Sequence, residues 1–490
     1  MFLLIVTAVV LFFTYIINQI RRPPHFPPGP SWLPFVGNLP ELKKLSKELG
    51  GQHFALSELA KRNKTNVLGL KLGKDYVVTV FSYSVCKAVL LGEEYEGRPD
   101  NFFIRLRTMG TRRGVTCTDG LFWKTQRAFV MSHLKTLGYG KKPMDKMIKE
   151  EISEILCILE DSKLDVQVGK LLAPAVLNIL WALTTGSRFS RKDPRLNKLL
   201  DLLSVRSKAF DMSGGTLTQH PWLRFIAPEK TGYNLVNRLN VELRGLLMET
   251  INEHYKNYTD GREDDLIYSY ITQMKKENAN STFTDEQLVM ICLDIFIAGS
   301  QTTSNTLDFA LMAMILYPDV QKKVHAHIDH YILKDDELEY TDRNKLPYVE
   351  AVLMEVQRYF HVVPISGPRR VMKDTTLEGY SIPKETTILI SQYSVHNDKE
   401  FWGDPEVFRP ERFLDESGSL KSCDRIIPFG LGKRRCLGET LARNCIFLFF
   451  TEILRKYEIS IVPGTKVPTG IPVPGLTSSP EKYNALFTRL

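Results

Sequence analysis

Residues 428–439 read Pro428-Phe429-Gly430-Leu431-Gly432-Lys433-Arg434-Arg435-Cys436-Leu437-Gly438-Glu439. Three glycines surround one cysteine. Glycine lacks a Cβ, so the backbone can turn tightly and a flat ligand can come close. Lys433, Arg434 and Arg435 stand beside the thiol, and neighbouring cations favour the thiolate. The run from Glu439 to Phe450 has helical character, which puts Cys436 at or just before a helix N-terminus. That position also stabilises an anion. A thiolate in a glycine-lined loop, with arginines to pair carboxylates, suits a haem iron and its propionates.

Working outward, the chain has 490 residues, seven cysteines and a net charge of +8. Cys86, Cys117, Cys157, Cys292, Cys423 and Cys445 read as small buried hydrophobes. No C-x-x-C pair occurs, which speaks against a zinc site or a disulfide framework and for a reducing compartment. A composition of 43% hydrophobic and 24% charged residues excludes disordered, collagen-like, coiled-coil and polytopic membrane chains. The positive charge is too diffuse to argue for a nucleic-acid partner.

Residues 1–20, MFLLIVTAVVLFFTYIINQI, are nearly all apolar and uncharged. A helix of this length spans about 30 Å, the hydrocarbon core of a bilayer. A cleaved signal would carry basic residues first and a small-x-small site after, and neither is present. Residues 1–20 are therefore expected to be an uncleaved transmembrane anchor, with Arg21 and Arg22 holding the bulk of the chain on the cytosolic side. The sequons at Asn63, Asn257 and Asn280 should then stay unmodified. Residues 21–34 are basic and proline-rich, and predict an extended, stiff hinge.

No linker divides residues 35–490. Val67–Leu72 and Tyr76–Val80 predict a hairpin across Gly73-Lys74-Asp75. Helical periodicity dominates from Lys141 to about residue 360. Thr284-Asp285-Glu286-Gln287 predicts a capping box opening a helix that Pro318 stops. Two further strands are expected over Thr376–Ile382 and Thr386–Ser391.

Phe429-Gly430-x-Gly432-x-Arg434-x-Cys436-x-Gly438 resembles the haem-binding loop of the cytochrome P450 family at every defining position. Glu355-x-x-Arg358 resembles the family's ExxR, and Phe408–Phe413 its PERF segment. Trp123-x-x-x-Arg127 resembles a propionate-contacting helix, and Ala298-Gly299-Ser300-Gln301-Thr302 the oxygen-binding segment. With the anchor and Pro27-Pro28-Gly29-Pro30, the chain resembles a microsomal member from about residue 23 to its end. The resemblance implies a mainly α fold with small β-sheets (α+β), in which a long central helix lies beside a buried haem b. It also implies an endoplasmic-reticulum membrane location with one N-terminal anchor.

By the same resemblance, Cys436 is the axial iron ligand. Trp123, Arg127, Arg369, Phe429, Arg434 and Gly438 are cofactor-binding, and Glu355, Arg358 and Arg412 form a buried charged triad. The implied activity is monooxygenation of a lipophilic molecule with O2. NADPH would supply electrons through NADPH–cytochrome P450 reductase, with cytochrome b5 a second candidate donor. Thr302 would deliver protons, and Gly299 would let the helix open for oxygen. Gln301 departs from the family, which usually has an acid there. A carboxamide orients water but does not titrate, so Gln301 and Thr302 are expected to position a water chain. The pocket is expected around Phe102, Phe103, Phe296, Ala298, Val363, Ile365 and Leu476. Gly97–Asp100 and Thr118–Gly120 are similar to insect microsomal members near methyl farnesoate epoxidase. Lys421, Arg425, Lys433, Arg435 and Arg443 suggest a basic patch for an acidic reductase. A peroxide isomerase or dehydratase on the same scaffold is the alternative, and a non-catalytic haem protein a third class.

Overall fold

The computed structural model describes residues 2–136, 138–161, 165–208, 215–277, 281–333 and 336–490. Asn280 lies outside these. Asp285–Leu316 forms one unbroken helix of 32 residues. At ~1.5 Å per residue it is about 48 Å long. Thr284 caps it, accepting from the Gln287 N–H at 3.2 Å. The reciprocal half of the predicted capping box is not made. Gln287 turns its amide to Gly114, accepting from its N–H at 2.8 Å and donating to its carbonyl at 3.3 Å. Helix start and distal loop are thereby joined.

This rod packs against the helices Val168–Thr185, Pro347–Phe360 and Glu439–Lys456. It is buried along most of its length, as expected where apolar residues surround a helix. Val168–Thr185 is apolar enough to cross a membrane, but it is mostly buried inside the protein and serves as a core helix.

Val67–Leu72 and Asp75–Val80 form the predicted hairpin. Asp75–Val80 then pairs in parallel with Thr387–Ser391, which pairs antiparallel with Ile365–Arg370. The single strand expected over Thr376–Ile382 is instead two short strands, Thr375–Leu377 and Tyr380–Ile382. The chain reverses at Glu378-Gly379, where both residues have positive φ. Tyr457–Ile461, Asn484–Arg489 and Val166–Gln167 make a separate sheet.

Phe2–Ile20 is one helix with no buried residue. The hinge after it is not the extended spacer its prolines predicted. Arg22 donates to the carbonyls of Pro27, Gly29 and Pro30 at 3.0, 2.5 and 2.6 Å, folding the segment back on itself. Phe26 and Trp32 are buried, and the Gly69 N–H of the first strand donates to Pro28 at 2.8 Å. Lys71 donates to the Gln19 carbonyl at 2.7 Å and its side chain at 2.9 Å. Arg22 and Lys71 also lie over the Trp32 ring at 5.3 and 5.6 Å. Trp32→Ala should therefore cost about 3 kcal/mol, by analogy with other buried aromatic truncations. A lowered urea midpoint and faster tryptic cleavage after Arg22 would show it; an unchanged midpoint would contradict the docked hinge.

Candidate functional site

The Cys436 N–H donates to the Phe429 carbonyl at 2.8 Å, closing the loop. Gly430 and Gly432 both have left-handed φ. At Gly432 a Cβ would lie 2.6 Å from the Leu90 carbonyl, so only glycine fits. Cys436 precedes the helix Glu439–Lys456, whose N-cap Gly438 makes no side-chain cap. The Leu441 N–H of its first turn donates to the Tyr139 hydroxyl at 3.2 Å, and the Gly438 N–H acts on the sulfur.

The flanking cations do not act on the sulfur as expected. Lys433 is held by Glu93 and Glu96 at 2.5 and 3.1 Å. Arg434 turns away and donates to the Thr118 carbonyl at 2.9 Å. Burial pushes the Cys436 thiol up, against the Gly438 N–H, while Glu439 raises it and Arg127 lowers it. A bound metal, rather than nearby lysine or arginine, is what would take the proton's place on this sulfur.

A cavity of about 450 Å³ lies between this loop and the long helix. Phe429, Gly430, Cys436 and Gly438 line one side. Ala298, Gly299, Thr302, Thr303 and Thr306 line the other, on one helical face. Arg98, Arg127, Arg369, Arg434 and Trp123 also line it. Arg434 stacks on Trp123 at 3.6 Å, and Arg127 lies over the same ring and donates to the Arg435 carbonyl at 2.9 Å. Arg434 Nε and Nη2 and Arg98 Nε are buried without partners. Burial and the charges of Arg98 and Arg434 push Arg369 down to about 8. Burial, then Arg98, pushes Arg434 to about 9. Guanidinium groups keep their proton in proteins. Clustered, desolvated and short of acceptors, these arginines call for carboxylates. These residues fit haem: the glycine loop would leave room for a flat ring, the guanidinia would take propionates, and Cys436 would hold the iron. Arg98 was not foreseen. Its role is set by Gly367 and Pro368, whose carbonyls accept from it at 2.9 and 2.7 Å.

Glu355, Arg358 and Arg412 come together beneath this loop. Arg358 grips Glu355 through two hydrogen bonds of 2.7 and 2.8 Å, both side chains fully buried. Its remaining N–H groups donate to the carbonyls of His396, Pro405 and Val407. Arg412 reaches Glu355 at 3.1 Å.

Gly299 differs from expectation. The helix does not open there; a Cβ at Gly299 would meet the Leu180 side chain at 2.9 Å, so the glycine permits close helix packing. Thr302 donates its hydroxyl proton to the Ala298 carbonyl at 2.6 Å, leaving its oxygen to accept. Gln301 does not line the cavity. Asp294 does, but its Oδ2 accepts from the N–H groups of Val115 and Thr116 at 2.7 and 2.8 Å. Asp308, pushed up to about 7 by burial, sits off the cavity beside Gly169.

Of the expected pocket residues, Ala298, Val363, Ile365 and Leu476 line the cavity. Phe296 does not: it is fully buried and stacks on Trp181 at 5.5 Å, because two residues of helix turn it ~200° from Ala298, to the opposite side. Phe102 and Phe103 pack instead with Leu217, Val236 and Tyr233. Much of the apolar wall comes from Val176, Ile179, Leu180 and Leu183, which carried no motif.

A thiol in a glycine loop, across a cavity from a hydroxyl-bearing helix and rimmed by acid-hungry arginines, has the design of a haem–thiolate enzyme. The cytochrome P450 pattern matches residues 27–487, and the chain belongs to the cytochrome P450 family of haem monooxygenases. It is 46% identical to "Probable cytochrome P450 305a1" of Drosophila melanogaster, over 97% of this chain and 96% of that one. To "Farnesoate epoxidase" of Bombyx mori it is 36% identical, over 99% and 98%. To "Cytochrome P450 2J1" of Oryctolagus cuniculus it is 34% identical, over 98% and 94%.

Glu355→Gln leaves Arg358 buried beside a neutral group and should cost about 3–5 kcal/mol, read as loss of folded, haem-loaded protein. Arg98→Gln and Arg434→Gln should each weaken haem retention roughly tenfold, the value of one charge-assisted hydrogen bond. Haem transfer to apomyoglobin measures it; unchanged transfer rates would remove these arginines from the propionate set.

Proposed function

We propose that Cys436 is the axial haem ligand and that the chain inserts one oxygen atom of O2 into a lipophilic sesquiterpenoid-like molecule. Electrons come from NADPH through a flavoprotein reductase. The observation that carries this is the pairing, across one apolar cavity, of the Cys436 loop with the Thr302 face of the long helix. Haem bound there supplies redox-active iron for O2 activation, tuned by electron donation from the thiolate. The named epoxidase relative supports the substrate class.

The chain's own residues divide the work. Trp123, Arg127, Arg369, Arg434 and the added Arg98 hold the propionates. Phe429 and Gly438 shape the loop around the sulfur. Apolar side chains from the helix Val168–Thr185 exclude water. Thr302 spends its proton on Ala298, so its oxygen accepts from a water and orients that water's other proton into the cavity. Gln301 stands outside this relay.

Residues 1–20 act as a single-pass endoplasmic-reticulum anchor, 21–34 as a docked hinge, and 35–490 as the cytosolic catalytic domain. Reductase docking draws on fewer charges than the sequence suggested. Arg425, Lys433 and Arg443 are already engaged with Asp398, Glu93 and Glu439. Lys421 and Arg435 remain for an acidic partner, where they would mainly speed association.

The deciding experiment reconstitutes the full chain with reductase and NADPH and follows epoxidation of methyl farnesoate. Rearrangement or dehydration of an added hydroperoxide itself without NADPH, with no epoxide formed from methyl farnesoate, would favour the isomerase class. Cys436→Ser should abolish the thiolate signature of the ferrous carbon-monoxide spectrum. Thr302→Ala should divert NADPH oxidation into hydrogen peroxide, lowering coupling several-fold, while Gln301→Glu should leave coupling unchanged. A fully coupled Thr302→Ala enzyme would sink the relay.

A further inference from the structure

We propose that Tyr139 is a positioning residue for the Cys436 ligand: its hydroxyl holds the Leu437–Gly438 peptide so that a backbone N–H is aimed at the sulfur, which sets how strongly that sulfur donates electrons to iron. This rests on Cys436 being the haem ligand and deepens that reading.

Tyr139 stands between Gly138 and Gly140, just before the helix Lys142–Asp161. It is buried and lines the cavity beside Leu437 and Leu441. Its hydroxyl donates to the Leu437 carbonyl at 2.9 Å and accepts from the Leu441 N–H at 3.2 Å. Residues 437 and 441 are four apart, the spacing at which an α-helix joins carbonyl and N–H directly. Here the phenol oxygen stands between them. The helix proper starts one residue later, where the Ala442 N–H donates to the Gly438 carbonyl at 2.9 Å. A hydroxyl in such apolar surroundings is costly unless it is paired. This one is paired twice, both times with backbone close to Cys436. Phenylalanine would fill the same space, so packing does not account for the hydroxyl.

A planar trans peptide points its carbonyl and its N–H in opposite directions. The Leu437 carbonyl and the Gly438 N–H are the two ends of one such unit. With the carbonyl tied to Tyr139, the N–H is turned away from the phenol and toward the sulfur. Two observations agree. Burial raises the Cys436 thiol and the Gly438 N–H opposes it. Gly438 also lies so near that a Cβ there would sit 3.9 Å from the Cys436 Sγ. The peptide on the other side of Cys436 is fixed by different groups. Arg127 donates to the Arg435 carbonyl at 2.9 Å, and the Cys436 N–H donates to the Phe429 carbonyl at 2.8 Å. Tyr139 supplies the restraint on the 437–438 side.

The electronic consequence follows from the direction of these bonds. A phenol keeps its proton at neutral pH, so Tyr139 stays a donor. Its bond to the Leu437 carbonyl polarises the peptide and makes the Gly438 N–H a better donor at the far end. An N–H directed at a thiolate draws electron density from the sulfur. Hydrogen bonding around an axial ligand is one of the levers by which a protein tunes haem iron. A sulfur that donates less makes the ferrous state easier to reach, and one that donates more favours the ferric state. Tyr139 acts through the peptide, and its hydroxyl therefore favours reduction.

The test uses the haem-loaded full-length protein and Tyr139→Phe, which keeps the ring and removes the hydroxyl. Two quantities are read: the ferric/ferrous equilibrium against a redox dye of fixed potential, and the iron–sulfur stretching frequency by resonance Raman. Tyr139→Phe should move the equilibrium about fivefold toward ferric, the value of one ordinary hydrogen bond, and raise the iron–sulfur frequency. Replacing Tyr139 by 3-fluorotyrosine, a stronger donor of nearly the same shape, should move both the other way. A Tyr139→Phe protein that keeps the thiolate carbon-monoxide signature with both readouts unchanged overturns the proposal, because the hydroxyl would then only brace the loop. A shift toward ferrous overturns it too. If Tyr139→Phe loses its haem, the 3-fluorotyrosine protein decides, and unchanged readouts there overturn the proposal. A parent protein without the thiolate signature would instead bring down the haem-ligand reading itself, and this inference with it.

Discussion

Glu355 and Arg358 form an ion pair from which water is wholly excluded, and the proximal half of the molecule hangs on it. Removing two charges from water costs several kcal/mol each, and attraction offsets this only when every remaining donor and acceptor is used. Here they are used. Arg358 spends its free N–H groups on the carbonyls of His396, Pro405 and Val407, and Glu355 also accepts from the Arg409 N–H and Arg412. The pair thus adds little net stability but dictates where the chain from 396 to 412 must run. From there the constraint passes on. His396 accepts from the Ile427 N–H, Gln392 donates to the Ile427 carbonyl, and that carbonyl also receives the Gly430 N–H. The loop bearing Cys436 is therefore positioned by charges some eighty residues upstream in sequence.

The cavity wall is organised around a different constraint, a cluster of positive charge. Arg98, Arg369 and Arg434 converge, and among the described residues no carboxylate forms an ion pair with them: Asp119 is paired with Arg112 and Arg370, and it and Glu96 act only through space. Such a cluster favours an anionic guest. The cofactor is thus part of the electrostatic completion of the fold as well as its chemistry.

Legibility in the sequence followed the range of the interactions. The Cys436 loop was readable because its turns are local: glycines at 430 and 432 and a cysteine before a helix carry their meaning within a few residues. The long helix was readable to within a residue at each end, since Thr284 and Pro318 act on adjacent backbone. The pairing of Glu355 with Arg358 came only through resemblance, because spacing alone says nothing about burial. What stayed hidden depended on distant partners. Arg98 gains its role from carbonyls at 367 and 368, Gly299 from the side chain of Leu180, and Gln287 from Gly114. Phe296 lies on the opposite side of the helix from Ala298, two residues on, against Trp181. The hinge looked extended because its prolines are local, whereas Arg22, Trp32 and Lys71 fold it through contacts no local rule anticipates.

The low dielectric of the cavity wall also explains why Asp294 is held as it is. A bare carboxylate buried there would be costly without donors to accept from. Two N–H groups on Oδ2 spread that charge and turn the acid into a structural clip. The clip fixes Val115 and Thr116 against the long helix, and Val115 and Thr116 are themselves cavity wall. Gly114, with left-handed φ and no room for a Cβ beside Asp294, lets the loop come that close. The same few residues therefore set the width of the cavity and take up the negative charge on its wall.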